Sequence, residues 1–355
     1  MKVLGIETSC DECAAAVVDE GRVLSNVVAT QIPIHTPYQG VVPELASRTH
    51  AVWIYRVVKE ALDKAAVTVE EVEGVAATAF PGLLGSLLVG LHFAKAFAWA
   101  RKLPFIAVDH LLAHLYASRL AGDDAALTAE YPYLGLLVSG GHSVICRVEN
   151  FDTVTVLGTT IDDAAGEAFD KVAKFYGFGY PGGQAIDLLA RGGNSAAYKF
   201  PLPNLYKPGK DGKDHRYDVS YSGLKTAVIN QREQFRCGSV NSPAPHELSQ
   251  SEKADIAASF QKTAIDIILR AAVRAAEDYN LSTVVAGGGV AANSYLRGQV
   301  KNFPHLNFVF PPLEYCGDNG AMVAGIGEQY LRRGETSSFE ASASARIKSL
   351  KRKYP

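Results

Sequence analysis

Two segments of this chain repeat one pattern 130 residues apart. Leu4-Gly5-Ile6-Glu7-Thr8-Ser9-Cys10-Asp11-Glu12 runs into Cys13-Ala14-Ala15-Ala16-Val17-Val18. Leu134-Gly135-Leu136-Leu137-Val138-Ser139-Gly140-Gly141-His142 runs into Ser143-Val144-Ile145-Cys146-Arg147-Val148. A shift of 130 places Leu4, Gly5, Ser9 and Val18 on Leu134, Gly135, Ser139 and Val148. Each copy reads as an apolar strand, a polar turn containing Ser, and a second strand. Such a turn can present backbone N–H groups and a hydroxyl to a phosphate. A duplication predicts two similar lobes facing one phosphorylated ligand; the alternative is two ordinary hairpins that share small residues.

The rest of the chain fits a duplicated α/β fold. Strand-like runs at 3–7, 14–18, 23–29, 74–78, 104–108, 133–138, 143–149, 153–157, 283–286 and 307–310 alternate with helix-like runs. The helical stretches are 43–64, 82–101, 110–120, 163–176, 184–191, 252–279, 292–301 and 319–333. Such alternation means an α/β protein, and a length of 355 suggests two domains. The polar stretch 121–131 is the natural boundary. It separates a first lobe at 1–125 from a second at 126–335, whose last helix is free to pack back on the first. A Ser/Ala-rich tail at 336–355 ends basic, with Arg346, Lys348, Lys351, Arg352 and Lys353. A polar insert, Asn204 to Tyr217, carries Lys207, Lys210, Lys213, His215 and Arg216.

Composition excludes several classes. Apolar residues are 48% and charged residues 20%, so the chain can build a core and is not a disordered polyelectrolyte. The net charge of −2 means that nucleic acid, if bound, is met by a local patch or with help. Five cysteines make no disulfide framework. An acid at Glu7 comes too early for a secretory signal. The apolar run Phe80–Trp99 is broken by Pro81, Ser86, His92 and Lys95, as in a buried helix rather than a membrane span. A cytoplasmic protein without membrane partners is expected.

His110-Leu111-Leu112-Ala113-His114 follows a strand, with Asp109 placed as helix N-cap. Histidines at i and i+4 share a helix face and can converge on a cation, though a solvated pair has the same spacing. A zinc protease of the HExxH type is excluded, because Leu111 stands where the general base belongs. Asp318, just ahead of a helix, could complete a two-His, one-carboxylate set suited to Fe(II) or Zn(II), or could simply cap the helix. Cys10 and Cys13 have CxxC spacing without a second pair, which fits a loop better than a zinc knuckle.

Two glycine-rich loops complete the pattern. Ala286-Gly287-Gly288-Gly289-Val290-Ala291-Ala292-Asn293 joins a strand to a helix and allows close backbone approach to a ligand. It is neither GxGxxG nor a P-loop. Gly288 is expected to border the base or ribose, so that Gly288→Val would fill the pocket. The second loop is Tyr176-Gly177-Phe178-Gly179-Tyr180-Pro181-Gly182-Gly183-Gln184.

These segments resemble a known family. GIETSCDE (5–12), VVPELASR (41–48), PGLLGSLLVG (81–90), DHLLAHL (109–115), LLVSGGH (136–142), DDAAGEAFDKVAK (162–174), YPGG (180–183), YSGLKTAV (221–228), AGGGVAAN (286–293) and CGDNGAM (316–322) occur in order. Together they are similar to the bacterial tRNA N6-adenosine threonylcarbamoyltransferases, the TsaD type, formerly called O-sialoglycoprotein endopeptidases. The resemblance implies the duplicated actin/sugar-kinase/Hsp70-like (ASKHA) fold with a nucleotide cleft between its lobes. It implies transfer of the threonylcarbamoyl group from threonylcarbamoyl-AMP to N6 of adenosine 37 in tRNAs reading codons that begin with A. It implies one divalent metal, Fe(II) before Zn(II), on His110, His114 and Asp318. The substrate would meet Leu137, Val138, Ser139, Gly140, Gly141, Asp170, Gly183, Asp187 and Asn293. Asp11 and Glu12 are the carboxylates available for proton transfer. A TsaB-type paralogue and a TsaE-type ATPase are the implied partners, beside tRNA.

The chain departs from the usual pattern at Cys13 and Ser143, where Thr is common, at Tyr221 in place of Phe, and in its longer insert. None of these is an expected ligand. A small-molecule kinase of the same fold is the alternative, and it has no use for the His110, His114, Asp318 set. A chaperone of the Hsp70 type would need a further domain for which no residues remain.

Overall fold

The computed structural model describes residues 1–120, 129–205, 214–236, 247–347 and 351–352. Its first sheet contains β1 (Val3–Glu7), β2 (Glu12–Asp19), β3 (Arg22–Thr30), β4 (Gly74–Phe80) and β5 (Phe105–Asp109), in the order β3-β2-β1-β4-β5. The second contains β6 (Tyr133–Val138), β7 (Ser143–Val148), β8 (Val154–Thr159), β9 (Thr283–Gly287) and β10 (Asn307–Val309), in the order β10-β9-β6-β7-β8. The orders are identical once each strand is matched to the one five later. The pairings agree as well: the first three strands of each set are antiparallel neighbours, and the fourth runs parallel to the first.

The repeat holds to the residue. Val3 pairs with Val18 and Tyr133 with Val148; Glu7 pairs with Ala14 and Leu137 with Val144. A register slip of one would turn every side chain to the opposite face, so identical register in both hairpins is a strong sign of duplication.

The helices are α1 (Ile32–His35), α2 (Pro43–Ala65), α3 (Leu84–Arg101), α4 (His110–Tyr116), α5 (Ala165–Tyr176), α6 (Gly182–Ala190), α7 (Ser222–Arg236), α8 (Gln250–Asp278), α9 (Ser294–Gln299) and α10 (Gly320–Arg332). Helix α2 packs on β2 and β3, while α8 lies against β6, β7 and β9. The expected helix over 110–120 is α4 followed by a 3₁₀ turn at Ala117–Leu120. Helix α7 was not anticipated, because Gly223 and the β-branched Thr226, Val228 and Ile229 mask its pattern.

Two helices exchange sheets, and this exchange builds the site. Helix α10 follows β10 of the second sheet but packs across β1, β2 and β4 of the first. Helix α4 follows β5 of the first sheet but contacts β6 and β9 of the second, and it also packs against α10. The repeat glycines allow this. A Cβ on Gly5 would stand 2.4 Å from the Ala324 backbone nitrogen of α10, and one on Gly135 would stand 3.0 Å from the Leu115 Cδ2 of α4. Met322, Val323 and Ile326 of α10 are fully buried, each worth roughly 1.5–3 kcal/mol of transfer free energy.

The tail does not simply trail away. Ser337 N–H donates to the Phe105 carbonyl at 2.7 Å, Ser344 N–H to that of Ala79 at 2.9 Å, and Phe339 stacks on Phe105. Residues Lys351–Arg352 then pair with β8 as β11. Among the described residues no helix is long and apolar enough to cross a membrane. The boundary residues 121–128 lie outside the described residues, as do Lys207, Lys210, Lys213, Lys348 and Lys353.

Candidate active site

The N-terminal ends of α4 and α10 meet at three side chains. Asp109 caps α4, its Oδ1 accepting from Leu111 N–H at 2.7 Å and Leu112 N–H at 3.1 Å. That cap starts the helix at His110, so His110 and His114 stand one turn apart and meet edge to face, with ring centroids at 4.5 Å. Asp318 reaches them from across 204 residues of sequence. Its carboxylate is free to do so because Asn319, not Asp318, caps α10, accepting from Met322 N–H at 2.9 Å. Asn319 Nδ2 also donates to the Gly317 carbonyl at 2.9 Å, which fixes the turn.

Asp318 Oδ1 lies 3.0 Å from His114 Nε2 and 3.5 Å from His110 Nε2. Donors bound at about 2.1 Å to one cation stand roughly 3.0–3.4 Å apart at octahedral to tetrahedral angles. The observed spacing and the donor chemistry therefore fit a divalent transition metal held by His110, His114 and Asp318, all within 4.8 Å of one another. The buried His114 Nδ1 has no hydrogen-bond partner.

The electrostatics fit a cation too. Burial alone would lower the His110 pKa, but the Glu7 and Asp318 carboxylates outweigh it and hold the imidazole up to about 9. His114 is lowered, by burial and by the neighbouring His110 charge. Burial would raise the Asp318 carboxyl, yet the histidines pull it well below the usual carboxylate range. A third imidazole, His142, feels the same charges, and burial with repulsion takes it down to about 4.

Glu7, at the end of β1, was not anticipated as part of the site. It is fully buried and accepts from His110 Nδ1 at 3.0 Å, from Thr78 Oγ1 at 2.6 Å and from Ser9 N–H. The signal was present in the sequence as an acid closing an otherwise apolar strand. It also changes the expectation for the first turn, since the Ser9 N–H is engaged by Glu7 rather than open to a phosphate.

The two expected carboxylates lie where β1 turns into β2. Asp11 ends the first turn and Glu12 opens β2, with Thr30 Oγ1 donating to Glu12 at 3.2 Å. Burial, then the charges of Asp11 and Asp318, push Glu12 well above the usual carboxylate range. Across the cleft, Asp170 and Tyr180 are raised by burial and then by Asp11 and other acids, which shows how near the first turn lies to the second lobe.

A cavity of about 250 Å³ opens there, lined by Gly140, Asp170, Gly183, Asp187, Gly289 and Asn293 among others. Five of the nine expected substrate contacts are in that lining. Leu137 and Val138 are buried in β6 and face the core clusters, so they offer the cleft only backbone. Ser139 and Gly141 flank Gly140 in the turn, where Ser139 N–H donates to the His142 carbonyl at 2.8 Å. Asp170 Oδ1 accepts from Gly182 N–H at 2.8 Å, and Asp187 Oδ1 accepts from Ser294 Oγ at 2.7 Å. Asn293 caps α9, and its Nδ2 donates at 3.0 Å to Gln261 of α8, a supporting residue that local sequence pattern did not reveal.

Gly288 does not line the cavity. Its φ is +89°, and a Cβ there would lie 2.4 Å from the Val138 carbonyl oxygen. It brings the glycine loop onto β6, so Gly288→Val is a folding variant rather than the pocket-filling one expected. Gly289 does line the cavity, and its Cβ would meet nothing within 4 Å. Gly289→Val is therefore expected to leave the unliganded melting temperature almost unchanged and to abolish the rise that AMP or ATP gives the parent by mass action. A parent-like nucleotide shift in Gly289→Val would show that the cavity is not the nucleotide site.

The family follows from comparison with known proteins. A model described as tRNA N6-adenosine threonylcarbamoyltransferase, TsaD, matches residues 22–325. The chain belongs to that family. A tRNA N6-adenosine threonylcarbamoyltransferase of Treponema denticola is 56% identical over 354 residues, covering 99% of each chain. One from Treponema pallidum is 55% identical, covering 98% of this chain and 94% of the relative, and one from Borrelia duttonii is 45% identical, covering 99% and 98%. Solved structures agree on the fold. HypF of T. kodakarensis aligns with a TM-score of 0.61 at 16% identity, over 95% of this chain and 48% of its own. Component A of (R)-2-hydroxyglutaryl-CoA dehydratase from Acidaminococcus fermentans aligns with 0.54 at 14%, over 93% and 99%. The family therefore has here the two-lobed ASKHA architecture, with the triad where α4 and α10 meet and the cavity lined by residues of the second lobe.

Proposed function

We propose that the protein transfers the threonylcarbamoyl group of threonylcarbamoyl-AMP to N6 of adenosine 37 in tRNAs reading codons that begin with A, releasing AMP. The observation that carries this reading is a buried His110, His114, Asp318 triad in a chain of this family, whose second lobe also holds a cavity of about 250 Å³. The kinase alternative accounts for the cavity and leaves the triad without a task. In this reading the lobes are 1–125 and 126–335, with the tail at 336–355.

His110, His114 and Asp318 would hold one divalent metal, Fe(II) first and Zn(II) second for this donor set. When bound, the metal supplies Lewis-acid polarisation and orientation of the threonylcarbamoyl group. Asp170, Gly183, Asp187 and Asn293 would hold the ribose and base of the adenylate, with the Ser139–Gly141 turn and the backbone of Leu137 and Val138 toward its anhydride. The N6 lone pair of adenine is delocalised into the ring, so the step needs an activated carbonyl, close positioning and a proton acceptor. N6 attacks the carbamoyl carbon, the carbon–oxygen bond to the phosphate breaks, and AMP leaves with the electron pair. The proton from N6 passes to Asp11 or Glu12, and the raised pKa of Glu12 suits it to accept.

A TsaB-type paralogue and a TsaE-type ATPase belong to this reading as partners, and the cytoplasm is where its tRNA substrate would be met. The tRNA contact is assigned to the insert that carries Lys207, Lys210, Lys213 and Arg216, next to YSGLKT. Reversing these four charges is expected to weaken tRNA binding, to flatten its salt dependence by up to about 0.9 log units per lost phosphate contact, and to leave the AMP melting shift intact. Unchanged affinity and salt slope would move the contact to another surface or to a partner.

A further inference from the structure

The geometry points to Glu7 as the positioning residue that turns His110 toward the metal and sets its strength as a ligand. The inference rests on the metal reading above. Glu7 is fully buried, and a buried carboxylate persists only where donors or a cation compensate it. Three donors do so: Ser9 N–H, Thr78 Oγ1 at 2.6 Å and His110 Nδ1 at 3.0 Å.

The duplicated lobe supplies an internal control. The residue in the same register as Glu7 is Leu137, which packs into the apolar cluster that α4 and α10 form with both sheets. The fold therefore places an apolar side chain at this point without difficulty, and the acid is specific to the half that faces His110. The two imidazoles differ in the same way. His110 has its Nδ1 on Glu7 and its Nε2 3.5 Å from Asp318. With Nδ1–H donating to Glu7, the Nε2 lone pair is the one left for a cation. His114 also offers Nε2, but its Nδ1 has no partner. A carboxylate behind a ligating histidine fixes its tautomer and ring orientation and raises its basicity. The site thus has one imidazole oriented by a carboxylate behind it and one whose Nδ1 has no such partner.

The test is a Co(II) titration of the full-length protein, read by visible absorption, for the parent, Glu7→Gln and His110→Ala. The parent is expected to bind one Co(II) per chain. Glu7→Gln should bind it about 10- to 100-fold more weakly. Its ligand-field bands should shift relative to the parent, because a neutral amide donates less electron density through the imidazole. A role limited to folding would change the metal-free melting temperature and leave the bands in place. Parent-like affinity with unshifted bands in Glu7→Gln overturns the inference. If Glu7→Gln does not fold, Thr78→Val removes one donor to the same carboxylate oxygen. It should then alter affinity and bands in a smaller measure, and no change in either overturns the inference. A parent that binds no Co(II) overturns the metal reading itself, an outcome distinct from failure of Glu7 alone.

Discussion

Replacing His110 or His114 with alanine is expected to lower metal affinity by roughly 100-fold or more and to take threonylcarbamoyl transfer to background. Each change removes one of three donors that meet within 4.8 Å, and no described His, Cys, Asp or Glu completes the group in its place. The two variants should differ in the metal-free protein. His110→Ala strips the fully buried Glu7 of a hydrogen-bond partner, whereas His114→Ala removes a ring that makes no contact with Glu7 and whose pKa burial and His110 lower. Metal content by elemental analysis, with melting curves in chelator, checks both points. Full transfer by a metal-free double variant would contradict the assignment.

Replacing Glu12 with glutamine is expected to lower the transfer rate by roughly 10²- to 10⁴-fold while nucleotide binding persists. Asp11→Asn tests the neighbouring carboxylate in the same assay. Glu12 carries a second, opposite signature. Its folded pKa is raised by burial and by Asp11 and Asp318, so its charged form is the disfavoured one. The neutral carboxyl costs nothing below the unfolded pKa, and stability falls as pH rises from there through the folded value. Glutamine mimics the neutral form at every pH. Glu12→Gln should therefore gain about 1–3 °C in melting temperature at pH 7 in chelator and nothing near pH 4. An active site that loses stability to keep an acid poised would show this pairing of slower transfer with a firmer fold. Equal melting temperatures at pH 7 would remove the electrostatic argument for Glu12.

The architecture was legible because each lobe is built from local patterns. Apolar runs of five to eight residues and the 130-residue offset show as β1–β2 and β6–β7 in identical register. The i, i+4 histidines were legible for the same reason, since helix periodicity places them on one face. Asp318 was not reachable by spacing, because 204 residues separate it from His114 and only the exchange of α4 and α10 between sheets unites them. Local rules proposed Asp318 as a helix cap, and its neighbour Asn319 took that role. Glu7 and Gln261 escaped because each supports a site residue from another element, His110 from 103 residues away and Asn293 from 32. Gly288 was read as space for a ligand when its freedom is spent on a positive φ and contact with the Val138 carbonyl.

The measurement that tests the account most directly is a single-turnover assay with preformed threonylcarbamoyl-AMP. Metal-loaded protein, its partner proteins and unmodified tRNA are combined, and nucleosides are analysed after digestion. One threonylcarbamoyl group should appear on N6 of adenosine 37 for each AMP released, and none should appear with the His110→Ala, His114→Ala protein. Release of AMP without modified adenosine, or equal modification by the double variant, would contradict the claim that the triad and the cavity form one transferase site.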